Sequence, residues 1–398
     1  AKDPTFKSVP ITIPTTNVIT YQIPAAEFTD LLGIRFYFSL KDKKDNEVRS
    51  EEGYVYKTHP SSTQIPNLVF GSDAASYQLI SIPLELTSNT VGSVFKDLGS
   101  ADKSKWRMYS YPGFTKEMTT SDNISVGSGY WLIAKNSTTI NHGEGKTVAV
   151  KEDAPFVLKL VKGWNLIGNP YNFNVSWDDV LVANGNPTGL GKLRFYKGGS
   201  FTGGDVLGSY KGAFVRLDGV DKLDVKVPVA NKGLTGGRVD NALKEPGSLL
   251  SDPDWQVKLT LYDGFFSNEL AGFGMATSAS ENVDRWDELK LPTPSGINSF
   301  NLIMRQIGNE SLIKDVVKTI DQYTWSGSIT SDRGVTISWD NTGFGLSEKL
   351  LMLETDDRAS LVDMRTEKTI TLPAGRQLFK IHYGSANYIK EASQTKEL

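Results

Sequence analysis

The sequence predicts an all-β protein of tandem β-sandwich or barrel-like domains, with a central domain built from an internal duplication and few short helices. Runs of alternating apolar and polar residues recur along the chain, as at residues 33–42 and 255–262. Glycine and small polar residues separate these runs, and three blocks of sequence occur twice in the same order. Period-two alternation between turn residues is typical of strands, and repeated blocks indicate repeated structural units.

Length and composition exclude several classes of protein. A chain of 398 residues is long enough for about two to four domains. Its net charge of −3 and its lack of a basic run argue against nucleic-acid binding. The absence of cysteine excludes disulfides and thiolate metal sites. No apolar run approaches the ~20 residues that a membrane-spanning helix needs. The chain opens at Ala1 without an initiator methionine, as expected of a processed product or an excised segment.

Residues 1–68 are predicted to form a small β module. Alternating runs at residues 9–13, 18–23 and 33–42 precede a fourth strand near 53–57. The pattern resembles the closing strands of immunoglobulin-like or fibronectin type III-like domains. Such sandwiches usually need about 100 residues, so we expect a partial module or one that depends on its neighbour.

Residues 69–236 are predicted to be the duplicated domain, with repeats at 69–152 and 153–236. The three matching pairs of blocks are residues 77–84 and 164–171, 105–109 and 192–196, and 127–133 and 207–215. In each copy the first block is followed by a short helical segment. Tryptophans of one copy match large apolar residues of the other: Trp106 with Leu193, Trp131 with Phe214 and Trp164 with Tyr77. We therefore expect these tryptophans in the core and not on sugar-binding surfaces.

The sequence from Gly163 to Tyr171 is the clearest single motif in the chain. It consists of a strand, a proline that stops it and a turn rich in asparagine. Because the other copy has a counterpart at residues 77–84, we expect a framework role for this motif. Trp164 and Ile167 are predicted to be buried, and Asn165 and Asn169 to hydrogen-bond the backbone of turns.

Residues 237–398 are predicted to form a C-terminal β-sandwich. Six to eight alternating runs lie within this segment, and the strand at 255–262 is the first of them. That density of strands, joined by turn residues, is typical of two packed antiparallel sheets.

No catalytic motif is evident, and we expect the chain not to be an enzyme. The segment Gly143–Thr147 contains the end of a phosphate-binding loop, but Ile140 occupies the position of the required first glycine. Ser128 lies between two glycines without the context of a nucleophile elbow. The three histidines fall in different predicted domains; they are His59, His142 and His382.

Two sets of residues are candidate contact sites. Acidic residues cluster in two parts of the third predicted domain, at its start and in a later loop-like stretch. Their carboxylate oxygens are candidate calcium ligands. The residues are Asp252, Asp254, Glu281, Asp284, Asp287 and Glu288. A solvated turn is the alternative, and the cluster lacks the ordered spacing of an EF-hand. Apart from calcium, no cofactor is expected. Aromatic residues at predicted turn tips are candidates for ligand contact: Tyr111, Phe114, Phe201, Phe265 and Phe266.

The motif at residues 163–182, with its Trp177-Asp178 pair, resembles a β-rich module of exported surface proteins from the Bacteroidota and Chlorobi lineages. The C-terminal part is similar to the β domain that often precedes the sorting domain of type IX secretion substrates. The matching segments are residues 273–274, 284–294, 335–340, 362–365 and 376–384. The resemblance covers about residues 70–398. It implies a location outside the cell or on the outer surface of a Gram-negative bacterium, and contact with the secretion machinery during export.

These observations favour a non-enzymatic structural, adhesion or interaction segment of a secreted or cell-surface protein. The expected partners are other surface proteins or extracellular glycans. The alternative is a carbohydrate-binding accessory region of a polysaccharide-degrading enzyme. An enzyme with a dispersed active site is a third interpretation, and it would require converging carboxylates or a histidine in a deep pocket.

Overall fold

The computed structural model confirms the all-β prediction, with 48% strand and 8% helix. It describes residues 8–11, 21–24, 33–51, 53–148, 155–229, 254–294, 297, 300–342, 344–345, 348–356 and 361–394. The predicted domain boundaries near residues 152 and 236 lie outside these ranges. None of the described helices is long and apolar enough to cross a membrane.

The N-terminal module contains two nested strand pairs. Its strands are β1 (Gly33–Phe36), β2 (Ser39–Lys41), β3 (Glu47–Arg49), β4 (Gly53–Tyr56) and β5 (Thr58–His59). β1 pairs with β4, and β2 pairs with β3 inside them. Of the strands predicted at 9–13 and 18–23, residues 9–11 and 21–23 are described and are not in strands, and the rest lie outside the described residues. The immunoglobulin-like assignment therefore stays a prediction. Ile65 is buried in the core of the first repeat, so the packing of that repeat begins before residue 69.

The two repeats have the same strand order. The first contains β6 (Gln78–Ile80), β7 (Glu85–Leu86), α1 (Val91–Val94), β8 (Trp106–Ser110), β9 (Lys116–Glu117), β10 (Tyr130–Ala134) and β11 (Gly145–Lys146). The second contains β12 (Phe156–Gly168), β13 (Val175–Ser176), α2 (Trp177–Ala183), β14 (Leu193–Lys197), β15 (Ser200–Gly204), β16 (Val206–Leu207) and β17 (Gly212–Val227). Their main sheets are ordered β6-β10-β8-β9 and β12-β17-β14-β15. Thr90 and Ser176 cap the helices of the two copies with their side-chain oxygens.

Reciprocal contacts join the repeats across a local pseudo-two-fold axis. Ile80 of the first copy bridges to Lys211 of the second, and Ile167 of the second bridges to Ser128 of the first. The residues that precede these bridges, Gly127 and Tyr210, both have a positive φ, of 79° and 59° respectively. Equivalent residues therefore make equivalent contacts in both directions, as an internal duplication predicts.

The C-terminal segment forms a sandwich. Its elements are β18 (Trp255–Tyr262), β19 (Ser267–Ala276), β20 (Glu288–Leu289), β21 (Phe300–Ile303), β22 (Arg305–Ile307), β23 (Glu310–Lys318), β24 (Tyr323–Ser331), β25 (Val335–Trp339), β26 (Leu350–Thr355), β27 (Val362–Asp363), β28 (Thr369–Leu372), β29 (Gly375–Gly384) and α3 (Ala386–Gln394). A five-stranded sheet, β21-β24-β29-β26-β27, packs on the sheet that contains β19, β18, β25 and β28. Trp255 lies between the sheets, with its ring 5.9 Å from that of Trp325 and 4.9 Å from that of Tyr383.

The second repeat and the C-terminal sandwich share one sheet and one core. β15 pairs in parallel with β19, which joins the strands of both units into an 11-stranded sheet. Trp131 and Phe214 of the repeats belong to the same buried cluster as Trp255 and Phe273 of the sandwich. The units are therefore joined by packed structure in addition to the connecting chain.

Candidate functional site

The asparagine-rich motif has the framework role that its duplication predicts. Asn169 is fully buried, and its side chain donates to the carbonyl oxygens of Phe173 and Leu207 while it accepts from the backbone N–H of Tyr171. Ile167 is buried, and Trp164 is partly buried against the core. Each of these three hydrogen bonds joins the Asn169 side chain to a backbone group, so this residue organises the turn.

Asn165 supports the edge of β12 through its side-chain amide. The amide donates to the carbonyl oxygen of Val161 at 2.7 Å and accepts from the Val161 N–H at 2.9 Å. Gln78, the equivalent residue of the first repeat, makes the same pair of hydrogen bonds with the backbone of Val69. The amide is thus used in both copies to satisfy the backbone of a neighbouring segment.

A buried ion pair joins the second repeat to the sandwich. The guanidinium of Arg194 donates two hydrogen bonds to the carboxylate of Glu288, and both side chains are almost fully buried. Close by, the indole N–H of Trp164 donates to the carbonyl oxygen of Lys290 at 3.1 Å. A bidentate arginine–carboxylate pair fixes the relative orientation of its two elements. A second pair, between Arg216 of β17 and Glu310 of β23 at 2.7 Å, also joins these units. The sequence did not indicate this junction.

The junction also explains two wrong predictions about exposed aromatics. Phe201 and Phe266 were expected at exposed turn tips, but only 3% and 2% of their surfaces are accessible. The parallel pairing of β15 with β19 places both rings in the shared core, where each packs against Tyr196. Alternation along a strand cannot show that a second domain covers its edge.

The other aromatic candidates lie nearer the surface. Tyr111 is half-buried, with its ring 5.5 Å from that of Phe214. Phe114 and Phe265 are 62% and 56% exposed. The guanidinium of Arg333 lies 4.2 Å from the centre of the Phe265 ring, so one face of that ring is occupied. The structure does not bring Phe114 and Phe265 together with the two buried candidates into one ligand site.

A groove of about 390 Å³ lies between the first repeat and β12. Tyr111, Pro112 and Gly113 form one wall, and the segment 126–128 closes an end. The other wall is β12 from Phe156 to Ile167, including the ring of Trp164. Its volume falls in the range of ligand pockets, about 300–1,000 Å³. The groove includes Tyr111, one of the predicted contact residues.

The acidic candidates mostly stabilise their own loop. Asp284 accepts hydrogen bonds from the backbone N–H groups of Ser280 and Trp286, and Asp254 accepts from that of Thr277. Glu288 lies in β20 and not in a loop, and it pairs with Arg194. Asp252 is outside the described residues. Among the residues that the structure describes, no three acidic or histidine side chains are grouped to hold a metal ion.

Two carboxyl groups near this loop are buried. Burial, together with the nearby charge of Asp284, raises the pKa of Asp287 to about 7 and that of Asp315 to about 6. The N–H of Val316 and the N–H of Asp284 donate to Asp287, and these bonds partly offset the effect of burial. Arg305 Nη2 lies 2.9 Å from Asp315 Oδ1, and its charge opposes the increase there.

The raised pKa values of Asp287 and Asp315 predict that the free energy of unfolding falls as the pH rises from 5 to 8. Because their folded pKa values exceed the ordinary value of about 3.9, the folded chain binds more protons than the unfolded chain between about pH 4 and 7. Their contribution is therefore fully present below pH 4 and lost as the pH rises through 6 to 7. Urea unfolding at pH 5, 6, 7 and 8 measures this change. The Asp287→Asn variant should show a smaller decline than the wild-type chain, whereas Glu281→Gln, at an exposed neighbouring position, should not. An identical pH profile for Asp287→Asn and the wild-type chain would contradict this account.

His382 belongs to a buried hydrogen-bonded chain that the sequence did not indicate. Its Nε2 lies 2.9 Å from Glu354 Oε2, and its Nδ1 lies 2.8 Å from the hydroxyl of Thr324. That hydroxyl is 2.9 Å from the hydroxyl of Tyr388 on α3. A hydroxyl, an imidazole and a carboxylate in series can transfer protons, but His382 has no accessible surface. In this structure the chain of bonds ties α3 to the sheet.

Searches with the sequence against protein-family models and curated proteins, and with the fold against solved structures, found no match.

Proposed function

We propose that this chain is a non-enzymatic structural and interaction segment of a secreted or cell-surface protein. The observation that supports this most is the junction between the second repeat and the sandwich. A shared sheet, a continuous apolar core and the buried Arg194–Glu288 pair link them. Domains that are joined in this way keep a fixed relative orientation, which suits a spacer or scaffold.

The proposed setting depends on the resemblance of residues 163–182 to modules of exported surface proteins. Asn169 and Trp177 of this motif are buried, and both donate hydrogen bonds to backbone carbonyl oxygens of the second repeat. These contacts support a structural role for the motif. Partners in this setting would be other surface proteins or extracellular glycans, with the secretion machinery during export.

Mechanical unfolding of single molecules tests the structural role. Pulling on the two ends of the chain should unfold the second repeat and the sandwich in one event, since their strands share a sheet. Arg194→Ala should divide this event into two smaller ones, whereas Arg107→Ala in the first repeat should not. Separate unfolding of the two units in the wild-type chain would argue against a rigid segment.

Carbohydrate binding is the second candidate function, and the exposed rings of Phe114 and Phe265 favour it. Aromatic rings on protein surfaces can stack on sugar rings. A panel of polysaccharides immobilised on a sensor tests this function directly. Saturable binding that Phe114→Ala or Phe265→Ala weakens at least about tenfold would support it, whereas an unchanged affinity in both variants would exclude these rings as the platform.

A further inference from the structure

The strand β12 forms an end of the 11-stranded sheet. It pairs with β17 along one side from Phe156 to Gly168. On its other side only its C-terminal end is bonded within the described chain, through Leu166 and Gly168 to the segment 127–129. Among the described residues, no strand pairs on this side with the part of β12 before Val161, and this edge faces the groove.

The hydrogen bonds of Asn165 show which backbone groups this edge presents. Its side chain binds both the N–H and the C=O of Val161, so these groups point away from β17. Strand backbone groups alternate in direction, and the pairing is regular from Phe156 to Val161. Val157 and Lys159 therefore also direct their N–H and C=O groups toward the groove. Their spacing matches the ladder of an added strand.

Two other strand edges of the repeats, β9 and β15, are protected. In the first repeat β9 is an edge with charged residues, where Glu117 binds both Arg107 and Lys103. In the second repeat the equivalent edge, β15, is covered by β19. The β12 edge instead has exposed Val157 and Val161 beside Lys159. An apolar open edge is a suitable template for pairing with another chain.

The charges around the edge indicate the chemistry of a partner. Val157, Lys159 and Val161 lie opposite Lys226, Asp224 and Lys222 of β17, on one exposed face. Three lysines against one aspartate make this face cationic. Tyr111 and Pro112 provide an apolar wall above it. An added strand would therefore bind more tightly if it carried an acidic side chain opposite Lys159 and apolar side chains two positions to either side of that residue.

We infer that the β12 edge binds an extended segment of a partner protein in which apolar, acidic and apolar residues alternate on one face. The segment would add a strand to the sheet, with backbone hydrogen bonds to Val157 and Lys159 and with an acidic residue beside Lys159. This inference deepens the interaction role proposed above and rests on it.

A synthetic peptide tests the inference. The probe is a capped peptide, Thr-Val-Thr-Glu-Thr-Val-Thr, with a fluorescent label, and its partner is the whole chain. Binding should be saturable and at least about fivefold weaker when lysine replaces the glutamate. In the Lys159→Glu variant this preference should reverse. Lys390→Glu, an exposed substitution on α3, should leave it unchanged.

Amide hydrogen exchange on the wild-type chain gives an independent readout. The peptide should slow exchange at Val157 and Lys159. Absence of saturable binding, the same peptide preference in Lys159→Glu, or protection confined to other strands would each overturn the inference. So would dimers that protect β12 without peptide, because the occupant would then be a second copy. If the peptide did not bind but the wild-type chain unfolded in a single mechanical event, this inference would fail. The proposed structural role would still be supported.

Discussion

Replacement of Arg194 by alanine is expected to lower the free energy of unfolding by about 3–5 kcal/mol. The substitution leaves the carboxylate of Glu288 buried without its cation, at the contact between the second repeat and the sandwich. Chemical denaturation with circular dichroism measures the loss. The double variant Arg194→Met with Glu288→Leu should recover most of it, since neither charge is then buried.

The duplication supplies a matched control for this prediction. Arg107 is the equivalent residue of the first repeat, and its partner there is Glu117 at a more exposed site. The hydrogen bonds from Arg107 lower the pKa of Glu117 to about 2. Because water can solvate Glu117 when the arginine is lost, Arg107→Ala should cost only about 1 kcal/mol. Equal losses at the two arginines would show that the junction pair has no special role.

Gly168→Ala is expected to destabilise the duplicated domain by about 3 kcal/mol or more. A Cβ atom on Gly168 would lie 2.3 Å from the carbonyl oxygen of Ser128 and 2.5 Å from the Cβ of Ser81, where the copies meet. Gly129→Ala should have a similar effect, because its Cβ would lie 2.4 Å from the carbonyl oxygen of Ile167. Thermal unfolding measures both effects.

Gly208→Ala is the control for these glycines. Its Cβ would first meet the flexible side chain of Lys211, at 3.2 Å, and no backbone atom. The expected cost is less than about 1 kcal/mol. If Gly168→Ala destabilised the chain no more than Gly208→Ala in thermal unfolding, the close approach of the two repeats at Gly168 would be contradicted.

The sequence predicted the features that depend on local pattern. Alternation identified the all-β class, and the paired blocks identified the repeats whose strand orders agree. The match of Asn165 with Gln78 correctly indicated a backbone role, because the same amide chemistry occurs at both positions. These conclusions needed only periodicity, turn residues and internal comparison.

The junction could not be predicted in this way. Phe201 of β15 pairs with Asn268 of β19, and these two residues are far apart in the sequence. Period-two patterns show which face of a strand is apolar, but not which strand lies beside its edge. Glu288 was therefore interpreted as a loop ligand for calcium, although Arg194 binds it. The chain of bonds through His382 was missed for the same reason, since it links three strands and a helix.

The central claim is that the second repeat and the sandwich behave as one structural unit. Differential scanning calorimetry of the chain tests it most directly, by comparison of the calorimetric enthalpy with the van't Hoff enthalpy. The account predicts a single transition that includes both units, and a second transition that appears in Arg194→Ala. Two resolved transitions in the wild-type chain, unaffected by Arg194→Ala, would contradict it.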